Sequence, residues 1–281
     1  MPWRGRRNAP GRPAATRRKR PARIVGRTTR DAGATGRRAG GSVGAGAADA
    51  RAAAGPDVAA VILAGGRARR LGGIDKTALA RDGVTLLGGA LLAASGCAST
   101  VVVGAGTRPG GVPSAHRDVL APAVLVDERP AHGGPAAALG AGVRALDLGA
   151  ATEPGGTGPA WILVLAADLA HAPDAVRALL PLRHGAAAAR HDAVVARDPD
   201  GRAQPLLALY RAAPLIDALD AVDRAGGLPG ASLRAVLQAL GPATVAHADL
   251  DARLCADVDS PADARRHGLR LLDDRIPAHG R

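Results

Sequence analysis

The sequence predicts an α/β fold, a three-layer α/β/α sandwich around a mostly parallel sheet. From Val58 onward, short β-rich apolar runs alternate with longer segments whose apolar residues recur at helical spacing. Several runs are apolar without a break, as strands covered on both faces must be. Apolar residues make up 47% of the 281-residue chain, enough for a sizeable core.

The elements follow in order. AAVILAG (59–65) is the first strand, and Leu86, Leu87, Leu91 and Leu92 mark the first helix. TVVVGAG (100–106) and AVLVDE (123–128) are the next two strands, and PAAALGAGVRALDLG (135–149) is helical. ATEPGGTGPA (151–160) is a loop, leading into WILVLAADL (161–169), the most strand-like run in the chain. PDAVRALLPL (173–182) is a helix with proline in its first turn. AVVAR (193–197) and LLALY (206–210) are strands, followed by the helices APLIDALDAV and ASLRAVLQAL. TVAHA (244–248) is the last strand before a closing helix that begins near Ser260 and Pro261. One domain over residues 57–272 accounts for all of these, with a short tail at 273–281.

Residues 1–56 stand apart. Of 37 Lys and Arg, 14 lie within residues 1–55, with only 2 of 25 Asp and Glu; that leaves 23 of each sign beyond, so the whole net charge of +12 sits in this segment. Rich in Arg, Gly, Pro and Ala and without apolar periodicity, it is expected to be disordered, because it cannot bury enough surface to offset its ordering entropy. Such a segment is either a solvated extension or an arm for nucleic acid or another anionic surface. The neutral body, with 1% aromatic residues and no Phe, offers no base-stacking platform, which argues against nucleic-acid binding. Its core must be built from Leu, Val, Ile and Ala.

No run approaches the roughly 18 apolar residues of a membrane span. Cys97 and Cys255 are isolated, with no CxxC and no disulfide framework, so a reducing, cytoplasmic setting is expected.

In open α/β sheets ligands sit beyond the carboxyl ends of the strands, so those ends carry the chemistry. The first strand runs into VILAGGRARRLGGIDK (61–76), where Gly65 and Gly66 let backbone N–H groups approach an anion and Arg67, Arg69, Arg70 and Lys76 supply positive charge. A surface turn needs neither; a polyphosphate cradle needs both. This is not a Walker A loop, since Asp75 stands where its glycine before the lysine would be. Nor does VVVGAGTRPGG make a dinucleotide fingerprint, since Pro109 takes the third glycine position.

Asp127 ends the third strand and could bind a ribose hydroxyl or a base edge, or cap a turn. His132 reads as a loop histidine. Asp168 emerges from a strand buried on both faces, where an unpaired carboxylate is costly; it suits Mg²⁺, which takes few protein oxygens and completes its shell with phosphate and water, or else caps the next helix. Asp259 reads as a cap for the closing helix, while Asp257 could be a second metal ligand.

Taken together, these stretches resemble the molybdenum cofactor guanylyltransferase family of nucleotidyltransferase-like, Rossmann-like α/β enzymes. LAGGRARRLGGIDK matches the signature LAGGxxxRMGGxDK, with Leu71 for Met. DERPAHGGPAAALGAG resembles the family's aspartate followed by GPLAG; VLAADLAHAP its metal-aspartate strand; Ala203-Gln204-Pro205-Leu206 the segment before a late strand; SLRAVL a helix near the pterin side; and DVDSPAD its closing segment. The resemblance spans nearly all of residues 58–270. It implies that Leu63, Ala64, Gly65 and Gly66 contact a guanine nucleotide, that Arg70 and Lys76 hold its phosphates, that Asp127 contacts the nucleoside, and that Asp168 binds both Mg²⁺ and nucleotide. Three positions depart from the pattern: Gly104 replaces an asparagine, Leu169-Ala170 a residue–proline pair, and Ala137 the leucine-alanine step of GPLAG.

The implied reaction transfers GMP from GTP to molybdenum-molybdopterin, with pyrophosphate released and with cofactor-delivery or acceptor proteins as further partners. Cytidylyl transfer to the same cofactor, guanylyl transfer to a phospholactate-like acid and sugar-nucleotide synthesis are the alternatives on this scaffold. Relatives using CTP tend to show LAAG and lack the Asp-Lys pair, so Gly65 and Asp75 favour guanine.

Overall fold

The computed structural model of the protein describes residues 23–25, 55–65, 76–104, 123–128, 131–146, 148 and 158–271. Its strands are β1 (Arg23–Val25), β2 (Val58–Leu63), β3 (Leu79–Arg81), β4 (Val84–Thr85), β5 (Thr100–Val103), β6 (Ala123–Val126), β7 (Trp161–Ala166), β8 (Ala193–Arg197), β9 (Ala203–Arg211), β10 (Val245–Asp249) and β11 (Arg270–Leu271). Its helices are α1 (Leu86–Ala93), α2 (Pro135–Ala145), α3 (Ala172–Leu179), α4 (Ala212–Gly226), α5 (Leu233–Leu240) and α6 (Pro261–Arg266).

Eight strands form the main sheet in the order β1-β10-β8-β9-β7-β2-β5-β6. Every pair is parallel except those made by β9, which runs antiparallel to both β7 and β8. The α/β fold with a mostly parallel sheet is therefore what the alternation of strands and helices predicts. Arg23–Val25 lies within the segment expected to be disordered, yet it pairs with Arg23 opposite His247 at the sheet edge.

Alternate residues of each central strand serve opposite layers. Val58, Ala60 and Ile62 of β2 and Leu163 and Leu165 of β7 pack with Leu87 and Leu91 of α1 and Val176 and Leu179 of α3. Ala59, Val61, Ile162 and Val164 face the other way, toward Leu139 and Val143 of α2, Leu215 of α4 and Val236 of α5. All six residues of β2 are buried, which explains the unbroken apolar run there.

A second sheet, β11-β3-β4, is antiparallel throughout. β3 and β4 form a hairpin in which Arg81 faces Val84 across Asp82 and Gly83, both at positive φ (54° and 78°). That is the type I′ geometry an Asp-Gly pair favours. Leu79 of β3 shares a small core with Leu86 of α1, Ala170, Val258, Ala264 and Leu269. No helix among the described residues is long and apolar enough to cross a membrane.

Candidate active site

Register assembles the site. Leu63 at the end of β2 pairs with Val103 of β5 and Ala166 of β7, and Val103 pairs with Val126 of β6, so four strands end in one row. The ladder runs one step further, through Ala64 N–H to Val103 O (2.8 Å), Ala167 N–H to Leu63 O (2.9 Å) and Gly104 N–H to Val126 O (3.0 Å). Since β9 is antiparallel, with Leu165 opposite Leu207, its early residue Leu206 reaches the same edge. Beyond this row lies a cavity of about 370 Å³. Leu63, Ala64 and Gly65 line it from β2, Asp168 from β7, Glu128 and His132 from beyond β6, Pro135 and Ala138 from α2, and Lys76 and Thr77 from the turn before β3.

Gly65 is exposed at this rim. Among the described residues, a Cβ there would meet only Gly104 Cα at 3.7 Å, an ordinary contact, so none of them requires glycine at this position. What glycine keeps clear is the cavity side of the backbone. Gly66 and Arg70, with Arg67, Arg69 and Asp75, lie outside the described residues.

The ionic centre is Lys76. Its Nζ lies 2.6 Å from Asp259 Oδ1 and 3.7 Å from Asp168 Oδ2. Asp168 is held by a short backbone ladder: Leu169 bridges Asp257, Ala170 N–H donates to Ala256 O (2.9 Å) and Val258 N–H donates to Asp168 O (3.1 Å). A proline at 170 could not make the second of these bonds, which gives a physical reason for alanine where the family pattern has proline.

Burial raises the pKa of Asp168; Lys76 opposes the rise, and Asp257 and Asp259 add to it. Asp257 is exposed overall, yet partial desolvation of its carboxyl and the charge of Asp259 hold its pKa up as well. Among the described residues, three carboxylates thus lie near one ammonium at this end. Among the described residues no group of three or more His, Cys, Asp or Glu has the form of a protein-built metal cage. Asp168, with Asp257 on the adjoining turn, instead suits an ion that keeps most of its shell for water and phosphate oxygens, as Mg²⁺ does.

Two capping readings are decided by the structure. The N-cap of α3 is His171, without a side-chain cap bond, so Asp168 does not cap the helix that follows it. The cap of α6 is Ser260, in a capping box with Asp263, and not Asp259. Asp259 is thereby left to Lys76, a pairing that the Asp-Ser-Pro sequence could not distinguish from a cap.

Asp127 stands at the end of β6 as expected, but it is exposed; its neighbour Glu128 is the acid that lines the cavity. Glu128 Oε2 accepts from the N–H of His132 (3.0 Å), which is exposed and sits at φ 62°. Gln204 donates to Asp198 (3.1 Å), leaving Leu206 as the cavity residue from its segment. Thr77, Glu128 and Asp259 are polar residues here that reading the sequence did not single out for the site.

Beside the site lies a second polar cluster. Arg81 donates to Ala170 O (3.1 Å) and His267 O (3.2 Å) and contacts His171 Nδ1 (3.4 Å), while His171 Nε2 lies 3.3 Å from His267 Nδ1. The assignment satisfying both ring contacts puts the His171 proton on Nε2. Burial, then the neighbouring cations Arg253 and Arg81, lower its pKa to about 4.

Comparison with known proteins gives a consistent picture. The sequence profile of the MobA-like NTP transferase domain matches residues 60–245. No curated protein is similar enough in sequence to count as a match. Among solved structures, Rv0371c from Mycobacterium tuberculosis H37Rv is similar over 76% of this chain and 97% of its own, at 22% identity and a TM-score of 0.50. The inositol-1-phosphate CTP transferase from T. maritima is similar over 76% and 95%, at 15% identity and a TM-score of 0.51. Molybdopterin-guanine dinucleotide biosynthesis protein A from Archaeoglobus fulgidus is matched over 74% and 96%, at 19% identity and a TM-score of 0.48. At these identities the likeness is one of fold.

Proposed function

The chain belongs to the MobA-like NTP transferase family, and from that premise we propose that it transfers GMP from GTP to the terminal phosphate of molybdenum-molybdopterin, releasing pyrophosphate. The observation that carries this reading is the single cavity edge where the LAG backbone, Lys76 and Asp168 meet. The guanine assignment rests on Gly65 and Asp75 within LAGGRARRLGGIDK.

In this reaction an oxygen of the pterin phosphate attacks the α-phosphorus in line. A new P–O bond forms as the bond from the α-phosphorus to the bridging oxygen breaks, and the electron pair leaves with pyrophosphate. The attacking oxygen is already anionic near neutrality, so no side-chain nucleophile is needed, and positioning and charge neutralisation supply the catalysis. Lys76 is drawn from Asp259 toward the incoming phosphates, and Arg70 adds a second cation. Asp168, with Asp257, would hold Mg²⁺, which when bound neutralises phosphate charge. The backbone at Ala64 and Gly65, which lines the cavity, would lie against the nucleotide.

Thermal-shift titration with GTP, CTP and ATP in the presence of Mg²⁺ tests the nucleotide, using the full chain and Asp168→Ala. A GTP-selective rise in midpoint that shrinks in the variant is expected, followed by pyrophosphate release when molybdenum-molybdopterin is added. Selectivity for CTP would instead assign cytidylyl transfer on the same scaffold. In the same release assay, Lys76→Met is expected to lower turnover by about 10²–10³-fold, by analogy with loss of one preorganised oxyanion donor.

A further inference from the structure

Lys76 faces two carboxylates, and its close contact is with the less buried one. Its Nζ lies 2.6 Å from Asp259 Oδ1 but 3.7 Å from Asp168 Oδ2, beyond hydrogen-bond reach. The Asp168 side chain is 28% exposed and that of Asp259 47%. Burial alone argues for the opposite pairing, since an ammonium gains more from a carboxylate in a lower dielectric. The backbone decides instead. Leu79, Ala170 and Val258 lie three residues after Lys76, two after Asp168 and one before Asp259, and they meet in one small core. A capping box fixes the next residue, Ser260: its N–H donates to Asp263 Oδ2 (3.0 Å), and Asp263 N–H donates back to Ser260 Oγ (3.2 Å). All three ionic side chains thus grow from anchored backbone, and the ammonium is delivered to Asp259.

The two acids also differ in what they face. Lys76 and Asp168 line the cavity, whereas Asp259 is not among the described residues that do. Asp259 therefore engages the ammonium from outside the space where a nucleotide would lie. Asp168 borders that space and carries no hydrogen bond from Lys76.

Resting on the Mg²⁺-dependent reading above, we infer that Asp259 is a positioning residue that holds the Lys76 ammonium off Asp168, keeping that carboxylate available to a divalent cation. Without the Asp259 carboxylate, the flexible lysine stem needs to swing only about 1 Å to bond Asp168 directly. A divalent cation must then displace an ammonium from the same oxygens. Asp259 acts here only through Lys76, and that separates it from a metal ligand, whose loss is felt whatever stands at position 76.

The test is Mn²⁺ binding to the full chain without nucleotide, followed by the loss of the free-ion electron paramagnetic resonance signal. The proteins are the wild type, Asp259→Asn, Lys76→Met and the double variant, with Asp168→Asn marking which bound Mn²⁺ belongs to this site. Asp259→Asn is expected to weaken that Mn²⁺ by about tenfold, the factor implied by one charge-assisted hydrogen bond at the low end of its range. Asp259→Glu, which keeps a carboxylate for Lys76, should bind Mn²⁺ like the wild type. In the Lys76→Met background, Asp259→Asn should change the affinity by no more than about threefold, since only a screened charge is then removed. Unfolding midpoints in chelator show that the variants are folded, and Asp259→Ser carries the same expectation should the asparagine variant not be. An undiminished affinity in Asp259→Asn overturns the inference and leaves the metal at Asp168 standing. The same loss repeated in the Lys76→Met background would make Asp259 a metal ligand and overturns it too. Mn²⁺ bound equally by wild type and Asp168→Asn, or by neither, removes the metal from Asp168 and overturns that reading with the inference; the GTP selectivity of the thermal shift tests the transferase assignment separately.

Discussion

At the scale of single residues, Asp168 shows how the site trades stability for chemistry. Its folded-state pKa lies above the ordinary carboxylate value because of burial and two neighbouring acids. The folded protein therefore holds an extra proton in the pH range just above 3.8, and stability falls as pH rises through that range. The penalty grows as the pH is raised above 3.8. Asp168→Asn removes the charge without changing size, and Lys76 keeps Asp259 as partner. In chelator and without nucleotide, the variant is expected to unfold at a higher temperature than the wild type at pH 7. That gap should close toward pH 4, and turnover should be abolished. A lower midpoint at pH 7 would mean that the Lys76 attraction outweighs the burial of Asp168. Lys76, Asp168 and the Leu63–Gly65 backbone were legible in the sequence because a strand end followed by glycine and charge has one structural meaning. Glu128 was not legible, because which of two adjacent acids faces a cavity depends on the local backbone path. Nor was Asp259, because the residue before a Ser-Pro helix start looks like a cap whatever its side chain does.

At the scale of elements, hydrophobic periodicity located the main strands and helices, and the differences are of direction and pairing. β9 runs antiparallel because only Asp198–Arg202 separates the ladder ends of β8 and β9; Arg202 N–H donates to Asp198 Oδ1 (2.9 Å) and Gly201 sits at φ 82°. A parallel return would need a crossover of about a dozen residues or more. The signal, Asp200-Gly201 between two strands with no helix, was present in the sequence, as was Asp82-Gly83 for the β3–β4 hairpin. Two glycines separate packing from function. At Gly142 of α2 a Cβ would lie 2.5 Å from Val61 Cγ1 and 3.0 Å from Val103 Cγ2, both on buried strands. Alanine gains about 1 kcal/mol of helix propensity over glycine. Stiff valine side chains cannot yield at 2.5 Å, so a backbone shift costing about 1–3 kcal/mol is expected to prevail. Gly142→Ala should thus lower the urea-unfolding free energy; a rise would show that α2 can slide outward. Gly65→Ala, where a Cβ would meet no described residue closer than 3.7 Å, should leave stability within about 0.5 kcal/mol of the wild type. Its nucleotide affinity is expected to fall by at least about tenfold, roughly 1.4 kcal/mol.

At the scale of the whole molecule, the joint between the two sheets and the charge imbalance along the chain each give a test. Arg81 of β3 ties the small sheet to the turn after Asp168 and to the end of α6 through Ala170, His171 and His267. His171 has a folded pKa of about 4, below its ordinary 6.5, so the unfolded chain binds the extra proton between these values. Its contribution is complete above pH 6.5 and is lost as pH falls toward 4. His171→Gln is expected to flatten the midpoint-against-pH curve over that window, and a curve of unchanged slope would remove His171 as the cause. The remaining asymmetry is electrostatic. The body beyond residue 55 balances 23 charges of each sign, while the segment before it carries the entire excess of +12. Every described residue of the cavity lies in the neutral part, and among the described residues of the basic segment Arg23–Val25 joins the main sheet, at an edge remote in strand order from β2 and β7. A truncation starting at Gly55 keeps its bridge to Cys97 and the Asp57–Arg183 ion pair (3.0 Å) and, among the described pairings, gives up that of β1 with β10. Nucleotidyl transfer by this truncated protein is expected to stay within about threefold of the full chain, with a small drop in unfolding midpoint, because one short edge strand contributes little burial. A loss of turnover beyond tenfold in a folded truncation would make the basic segment part of the enzyme, acting on the substrates' phosphates through a field that salt should then screen over about 10 Å at 0.1 M.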